Sequence, residues 1–380
     1  MEKETRKPNI LLELIGSCKK REIVLLLSAA VILLHLALRG NKRLNCFLSE
    51  YAVRPIHRFL SRLTAQFPFS VAEVLILTLG IFLLLYFVIS LVLLLQRKEK
   101  GKRLYRMLIT LLMIGSCIYA GFCLLWGIYY YGEDFQTQSG LETRKVSAEE
   151  LETVTVYFAS MANAYSEQVE RDERGVCVSD RGQILEESPQ VYTEAEKVFP
   201  CLAGEPIPAK GFFFSKLLSL TDFTGFFFPF TAEANVNIDS PQAFFAATVA
   251  HELAHQRGVA KEQEANFVAV FASLLYGDPD YCYSACLLAY THLSNALYSA
   301  DRDAWQHVNA GLNDYVRADY AADRAYWQRF QTPAQTISNA IYEDFLYSYD
   351  QDLGLKSYGA CVDLLVCTYL EDARVYFGVS

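Results

Sequence analysis

Three long apolar runs occupy the first third of the chain, near residues 23–39, 71–96 and 107–131. As helices, each is long enough to cross a hydrocarbon core about 30 Å thick. The third closes on Leu124-Leu125-Trp126-Gly127-Ile128-Tyr129-Tyr130-Tyr131, an aromatic cluster suited to a membrane interface. The first run competes with a signal peptide. It has no small-x-small cleavage site and two further runs follow, so three retained helices are expected. Between the first two runs, Cys46 to Phe67 has an amphipathic pattern suited to lying along a membrane surface.

Beyond residue 131 the pattern becomes that of a water-soluble, helix-rich domain. Leu151, Val154, Tyr157, Phe158, Met161 and Tyr165 fall on one face of a helix spanning Ser147–Val169. Arg171–Gln190 is charged and rich in turn formers, and reads as a loop. Phe212–Phe214 and Phe226–Phe228 flank a polar stretch containing Lys216 and Asp222. Both are too short to cross a membrane, which leaves core packing and contact with the bilayer surface. Thr231–Ile238 alternates polar and apolar residues, predicting a short edge strand beside a cleft. On such a strand Glu233, Asn235 or Asn237 either contacts substrate by strand addition or forms an ordinary polar face. Tyr281–Ala300, Arg302–Ala321, Thr336–Ser348 and Tyr358–Tyr376 all have helical spacing.

Charge divides the chain at the same place. Residues 1–131 carry a net +11 and residues 132–380 a net −20, within an overall −9 for 380 residues. A basic membrane module therefore precedes an acidic domain, and the acidic balance argues against nucleic-acid binding. Lys and Arg are dense before the first apolar run and after the second, and nearly absent after the third. The positive-inside rule then places the acidic domain outside the cytoplasm, although the first loop is itself basic. The ten cysteines include no close CxxC pair, so a cysteine–zinc knuckle is not expected and buried thiols are.

The chemistry concentrates at His251-Glu252-Leu253-Ala254-His255, which sits in a segment with helical pattern. Asp239 or Ser240 can cap that helix, Pro241 suits its first turn, and Gly258 can end it. Residues four apart share a helix face, so His251 and His255 aim two imidazoles at one point. Zinc held that way keeps a position for water, with Glu252 placed to take its proton. The bland reading is a pair of surface histidines, but the chain has only six and the spacing matches a metal motif. A third protein ligand is required. Lys261 occupies the position where a metzincin places its third histidine, and an ammonium cannot bind zinc. The next helix, Lys261–Tyr276, offers Glu264 or Glu262, giving a two-His, one-Glu site. Glu264 is preferred, with solvated surface charge as its alternative. A second oxyanion donor would come from Tyr358 first, or from His292, His307 or Arg257, each of which also has a structural reading.

The motif residues resemble domain-of-unknown-function family 3810, a family of bacterial membrane proteins. The resemblance runs from Arg54-Pro55-Ile56 and Pro68-Phe69-Ser70 to the C-terminus. It is sharpest at Pro229–Asn237, His251–Gly258, Glu262–Phe267, and Lys356-Ser357-Tyr358-Gly359 with Val362–Leu365. It implies three membrane helices and a zinc-peptidase-like domain. Glu264-Ala265-Asn266 is also similar to the immunity-repressor-cleaving zinc peptidases, which implies Glu264 as the third ligand.

The expected fold is thus mostly α. Three transmembrane helices within residues 1–131 precede an α-rich, zincin-like (gluzincin) domain with a small β-sheet over residues 132–380. The expected activity is zinc-dependent peptide-bond hydrolysis in a multi-pass bacterial cell-membrane protein. Zn2+ would be bound by His251, His255 and Glu264, with Glu252 as general base and Tyr358 as a candidate catalytic group. The partners would be the lipid bilayer and a peptide or protein substrate, possibly of the cell envelope. Proteolysis inside the bilayer is excluded by the charges just after the motif, from Gln256-Arg257 to Glu264. The rival is a non-catalytic, zinc-binding sensor or scaffold, against which an intact Glu252 argues.

Overall fold

The structure, a computed structural model, describes residues 18–96, 99–349 and 359–378. Tyr358, with the rest of the Lys356–Tyr358 stretch, lies outside the described residues. The N-terminal part forms α1 (Lys19–Leu38), α2 (Lys42–Leu48), α3 (Arg54–Thr64), α4 (Val71–Gln96) and α5 (Lys100–Phe122). α5 continues through a π-turn at Cys123–Gly127 to Tyr130. α1, α4 and the Lys100–Tyr130 stretch are long and apolar enough to cross a membrane. Their exposed faces are rich in Leu, Ile, Val and Phe. Ser28 and Ser116 share a 2.7 Å hydroxyl bond between α1 and α5, where Arg21 also donates to Thr110 at 2.7 Å.

Contacts divide the chain into two compact units, Met1–Val53 with Ala72–Gly132, and Arg54–Val71 with Glu133–Ser380. The second unit therefore includes α3. Its further elements are α6 (Phe135–Ser139), α7 (Ala148–Ser166), α8 (Arg181–Glu187), β1 (Lys210–Phe212), α9 (Ser215–Leu220), β2 (Gly225–Phe228) and β3 (Glu233–Asn237). After these come α10 (Phe245–Gln256), α11 (Glu262–Tyr276), α12 (Pro279–Ala300), α13 (Arg302–Ala310), α14 (Asp314–Gln328), α15 (Pro333–Ser348) and α16 (Gly359–Phe377).

α7 starts where its cap demands: Ser147 and Glu150 form a reciprocal capping box. α12 is the central helix, packing on α7, α10, α11 and α16, and its Leu287, Leu293 and Leu297 belong to the same buried core as Phe158, Leu253 and Phe267. Fully burying side chains of this size contributes about 1.5–3 kcal/mol each.

Three local expectations are corrected. Arg171–Gln190 is not all loop: Asp180 accepts from the Gly182 and Gln183 amides and starts α8. Arg302–Ala321 is two helices, because the chain turns at Gly311–Asn313 and Asn313 caps the second. The motif helix begins with a 3-10 turn at Gln242–Phe244, and neither Asp239 nor Ser240 caps it.

The sheet order is β1-β3-β2, with β3 parallel to β1 and antiparallel to β2. β3, expected at an edge, is the central strand and is buried along its whole length. Its polar residues point into the protein: Glu233 pairs with Lys210, Asn235 accepts from Ser70, and Asn237 donates to Ser219 and to the Phe223 carbonyl. These bonds leave no role in strand addition for Glu233, Asn235 or Asn237. Alternation was read correctly as a strand; it could not tell a solvated polar face from an internally bonded one.

Candidate metal centre

The metal motif depends on how α10 ends. Gly258 has φ +90°, a conformation that favours glycine. The Gly258 amide donates to the His255 carbonyl at 2.9 Å and the Val259 amide to the Ala254 carbonyl at 3.1 Å. This pair of bonds is a Schellman termination. It turns the chain back so that the Val259 carbonyl lies 2.7 Å from His255 Nδ1. A carbonyl can only accept, so Nδ1 carries the proton and Nε2 of the neutral ring is left bare. The same reversal leads into α11, which lies against α10.

His251 and His255 stand one turn apart with ring centroids 4.7 Å apart. Glu262 Oε2 reaches both, 3.1 Å from His251 Nε2 and 3.6 Å from His255 Nε2. Among the described residues, His251, His255 and Glu262 form the one group that could hold a metal ion, with ligand atoms within 4.8 Å of one another. The donor set fits a divalent cation: two imidazole nitrogens, one with its tautomer fixed, and one carboxylate. The side chains of His251 and Glu262 keep 14% and 31% of their exposure, so the group is open on one side. The Tyr342 hydroxyl, from α15, donates to Glu262 Oε1 at 2.7 Å and orients the carboxylate from behind.

Glu264, the expected third ligand, lies elsewhere. Its two oxygens accept the backbone amides of Phe135 and Gln136 at 3.0 Å each, at the start of α6. Residues two apart on a helix point about 200° from one another, so Glu262 and Glu264 cannot serve the same point. Burial raises the pKa of Glu264, against the two amides that favour its charge.

Glu252 is only 4% exposed, and its Oε2 is buried without a hydrogen-bond partner. Burial raises its pKa to about 7, while His251 and His255 oppose the rise and Glu262 adds to it. For His255, burial disfavours charge but the Glu262 carboxylate outweighs it, and the pKa rises to about 9. Glu262 is itself held well below the usual carboxylate range; burial opposes this, and the two histidines prevail. β2 approaches Glu252 closely because Gly225 has no side chain. A Cβ there would lie 2.7 Å from Glu252 Cγ and Oε1 and 2.9 Å from the Asn235 carbonyl oxygen.

The other expected donors are not gathered here by direct bonds. Arg257 is buried, stacks 4.0 Å over the Tyr192 ring and donates to the Leu253 carbonyl. His307 is exposed on α13. His292 is buried on α12, where burial, and next the charge of His251, lower its pKa to about 4. Reading the sequence missed Tyr342, which lies 80 positions beyond its partner. No local signal marks it.

No curated protein and no solved structure matches the chain. The model of the family described as "Protein of unknown function (DUF3810)" matches residues 49–366, which span the metal group and most of both units, and the chain belongs to that family.

Proposed function

We propose that the chain is a membrane-anchored zinc metallopeptidase, with His251, His255 and Glu262 as the zinc ligands and Glu252 as the general base. The observation that supports it most is the convergence of three metal-capable ligands beside a buried carboxylate with an unpartnered oxygen. Zinc, when bound, supplies Lewis acidity that polarises a peptide carbonyl. The chain's own residues account for the rest. Glu252, one residue from the first ligand, takes a proton from the attacking water and delivers it to the departing amine. Gly225 lets β2 lie against that carboxylate. Tyr342 keeps Glu262 aimed at the histidines.

The substrates on this reading are peptides or proteins close to the membrane, on its outer face by the distribution of Lys and Arg. The test uses the full chain purified in detergent: metal content by mass spectrometry, with peptide-library cleavage by wild type and Glu252→Gln. About one zinc per chain, with cleavage abolished by the substitution, is the expected result. Zinc without cleavage would favour the sensor or scaffold, and absence of bound metal would remove the proposal.

A further inference from the structure

α3 is built inside out. A surface helix normally buries its apolar stripe and turns its polar face to water. Here the buried positions are His57, Ser61 and Thr64, which share one face, while Ile56, Phe59 and Leu63 share another and are exposed. Phe59 keeps 67% of its surface, and Phe67 and Phe69 continue the exposed apolar row beyond the helix.

The inversion is held by specific bonds. Arg54 donates to the Cys201 and Arg257 carbonyls at 3.3 and 3.4 Å, and the Thr64 hydroxyl donates to the Thr231 carbonyl at 3.3 Å. The His57 ring packs edge-on against Phe227 at 5.4 Å. Beyond the helix, Lys210 donates to the Thr64 and Phe69 carbonyls at 2.6 and 3.1 Å. The polar face is thus fastened to the rest of the unit that contains the metal group, and one anchor is the carbonyl of Arg257, the residue just after α10. The apolar face is left over.

We propose that this face lies in the headgroup–acyl boundary of a lipid bilayer and seats the metal-binding unit on the membrane surface. Three observations select lipid as the occupant. Phe69 is two residues from Val71, where the most apolar of the three candidate spans begins, so the row runs directly into a membrane-crossing helix. Another candidate span, Lys19–Leu38, precedes α3, so both ends of this loop lead into the bilayer. The apolar residues are accompanied on the helix by the exposed cations Arg58 and Arg62, the latter bound to Glu205, an arrangement suited to anionic headgroups. An in-plane helix bound this way buries Phe and Leu below the headgroups and leaves arginines among them. The seating does not depend on the peptidase reading.

The test uses the full chain in vesicles of phosphatidylcholine and phosphatidylglycerol, with a trace of lipid bearing a photoreactive diazirine high on its acyl chain. After illumination, adducts are mapped by mass spectrometry of the digested protein. Peptides covering residues 55–69 should be labelled along with the three spans, and peptides of α12 and α14 should not. Replacing Ile56, Phe59 and Leu63 together by Ser should cut the 55–69 adducts about tenfold, with labelling of the spans unchanged. Because these side chains are exposed, the triple variant should fold normally. Labelled spans with an unlabelled 55–69 segment would overturn the proposal, and cross-links between copies through that segment would assign the face to a second chain instead. Undiminished labelling of the triple variant would also overturn it, since tethering alone would then explain the adducts.

Discussion

Two clusters of charged and polar side chains lie in the same unit, one buried and one open on one side, and they are completed in different ways. In the first, the Lys210 ammonium donates to the Thr64 and Phe69 carbonyls and to Glu233, at 2.6, 3.1 and 2.7 Å. Glu233 also accepts the Val71 amide at 3.1 Å. An ammonium has three protons, and all three are used. In the second, three candidate ligands converge at mutual distances within 4.8 Å, and the neighbouring Glu252 leaves a buried oxygen without a partner. Burying charge is expensive unless hydrogen bonds complete it. The first cluster is complete and joins the segment after α3 to the sheet. The second leaves Glu252 Oε2 buried and unbonded beside its three candidate ligands.

The comparison can be tested most severely at Glu252. Glu252→Gln should lower peptide cleavage by about a thousandfold or more, as expected for removing a general base. It should change unfolding free energy by less than about 1 kcal/mol, because the carboxylate it removes is under-bonded. A parallel loss of stability and activity would make Glu252 a structural residue. Lys210→Met should do the opposite. It strands Glu233 in the interior and should cost about 3–5 kcal/mol, read from denaturant unfolding in detergent. The protein that remains folded should still bind metal with wild-type stoichiometry.

The two glutamates of α11 sharpen the contrast within one turn. Glu262→Gln should weaken zinc binding by more than the ~10–100-fold typical of an outer-shell change. Glu264→Gln should leave zinc affinity near wild type and lower stability by about 1–2 kcal/mol, the scale of a lost helix cap. Competition with a fluorescent chelator reads the first quantity, and the thermal midpoint reads the second. If the two effects were exchanged, Glu264 would be restored as the ligand. The smallest change expected is at Tyr342→Phe, where losing one hydrogen bond to Glu262 should weaken zinc binding about tenfold.

Much of this architecture was legible because it follows from local periodicity. The three apolar runs became three membrane-length helices, and the spacing of His251 and His255 became a shared helix face. The structure ends the motif helix at Gly258, as its residue type suggested. Other features were read wrongly where two folds of the chain share one local pattern. Polar–apolar alternation in Glu233–Asn237 fits an edge strand and an internally bonded central strand equally well. For α3, amphipathicity was evident, but which face would be turned inward was not, since the partners of the polar face lie about 150 to 200 positions away.

By itself, then, the sequence determined the membrane-length helices, the acidic helix-rich unit behind them, and the His251-Glu252-x-x-His255 motif. Each depends on side chains within a turn or two of one another. Only the tertiary structure decided that Glu262 rather than Glu264 meets the histidines, that Tyr342 supports it, and that α3 turns its apolar face outward. A helix fixes the relative directions of its own side chains, but its rotation about its axis is set by what packs against it. That rotation depends on contacts far apart in the chain, and no local pattern encodes it.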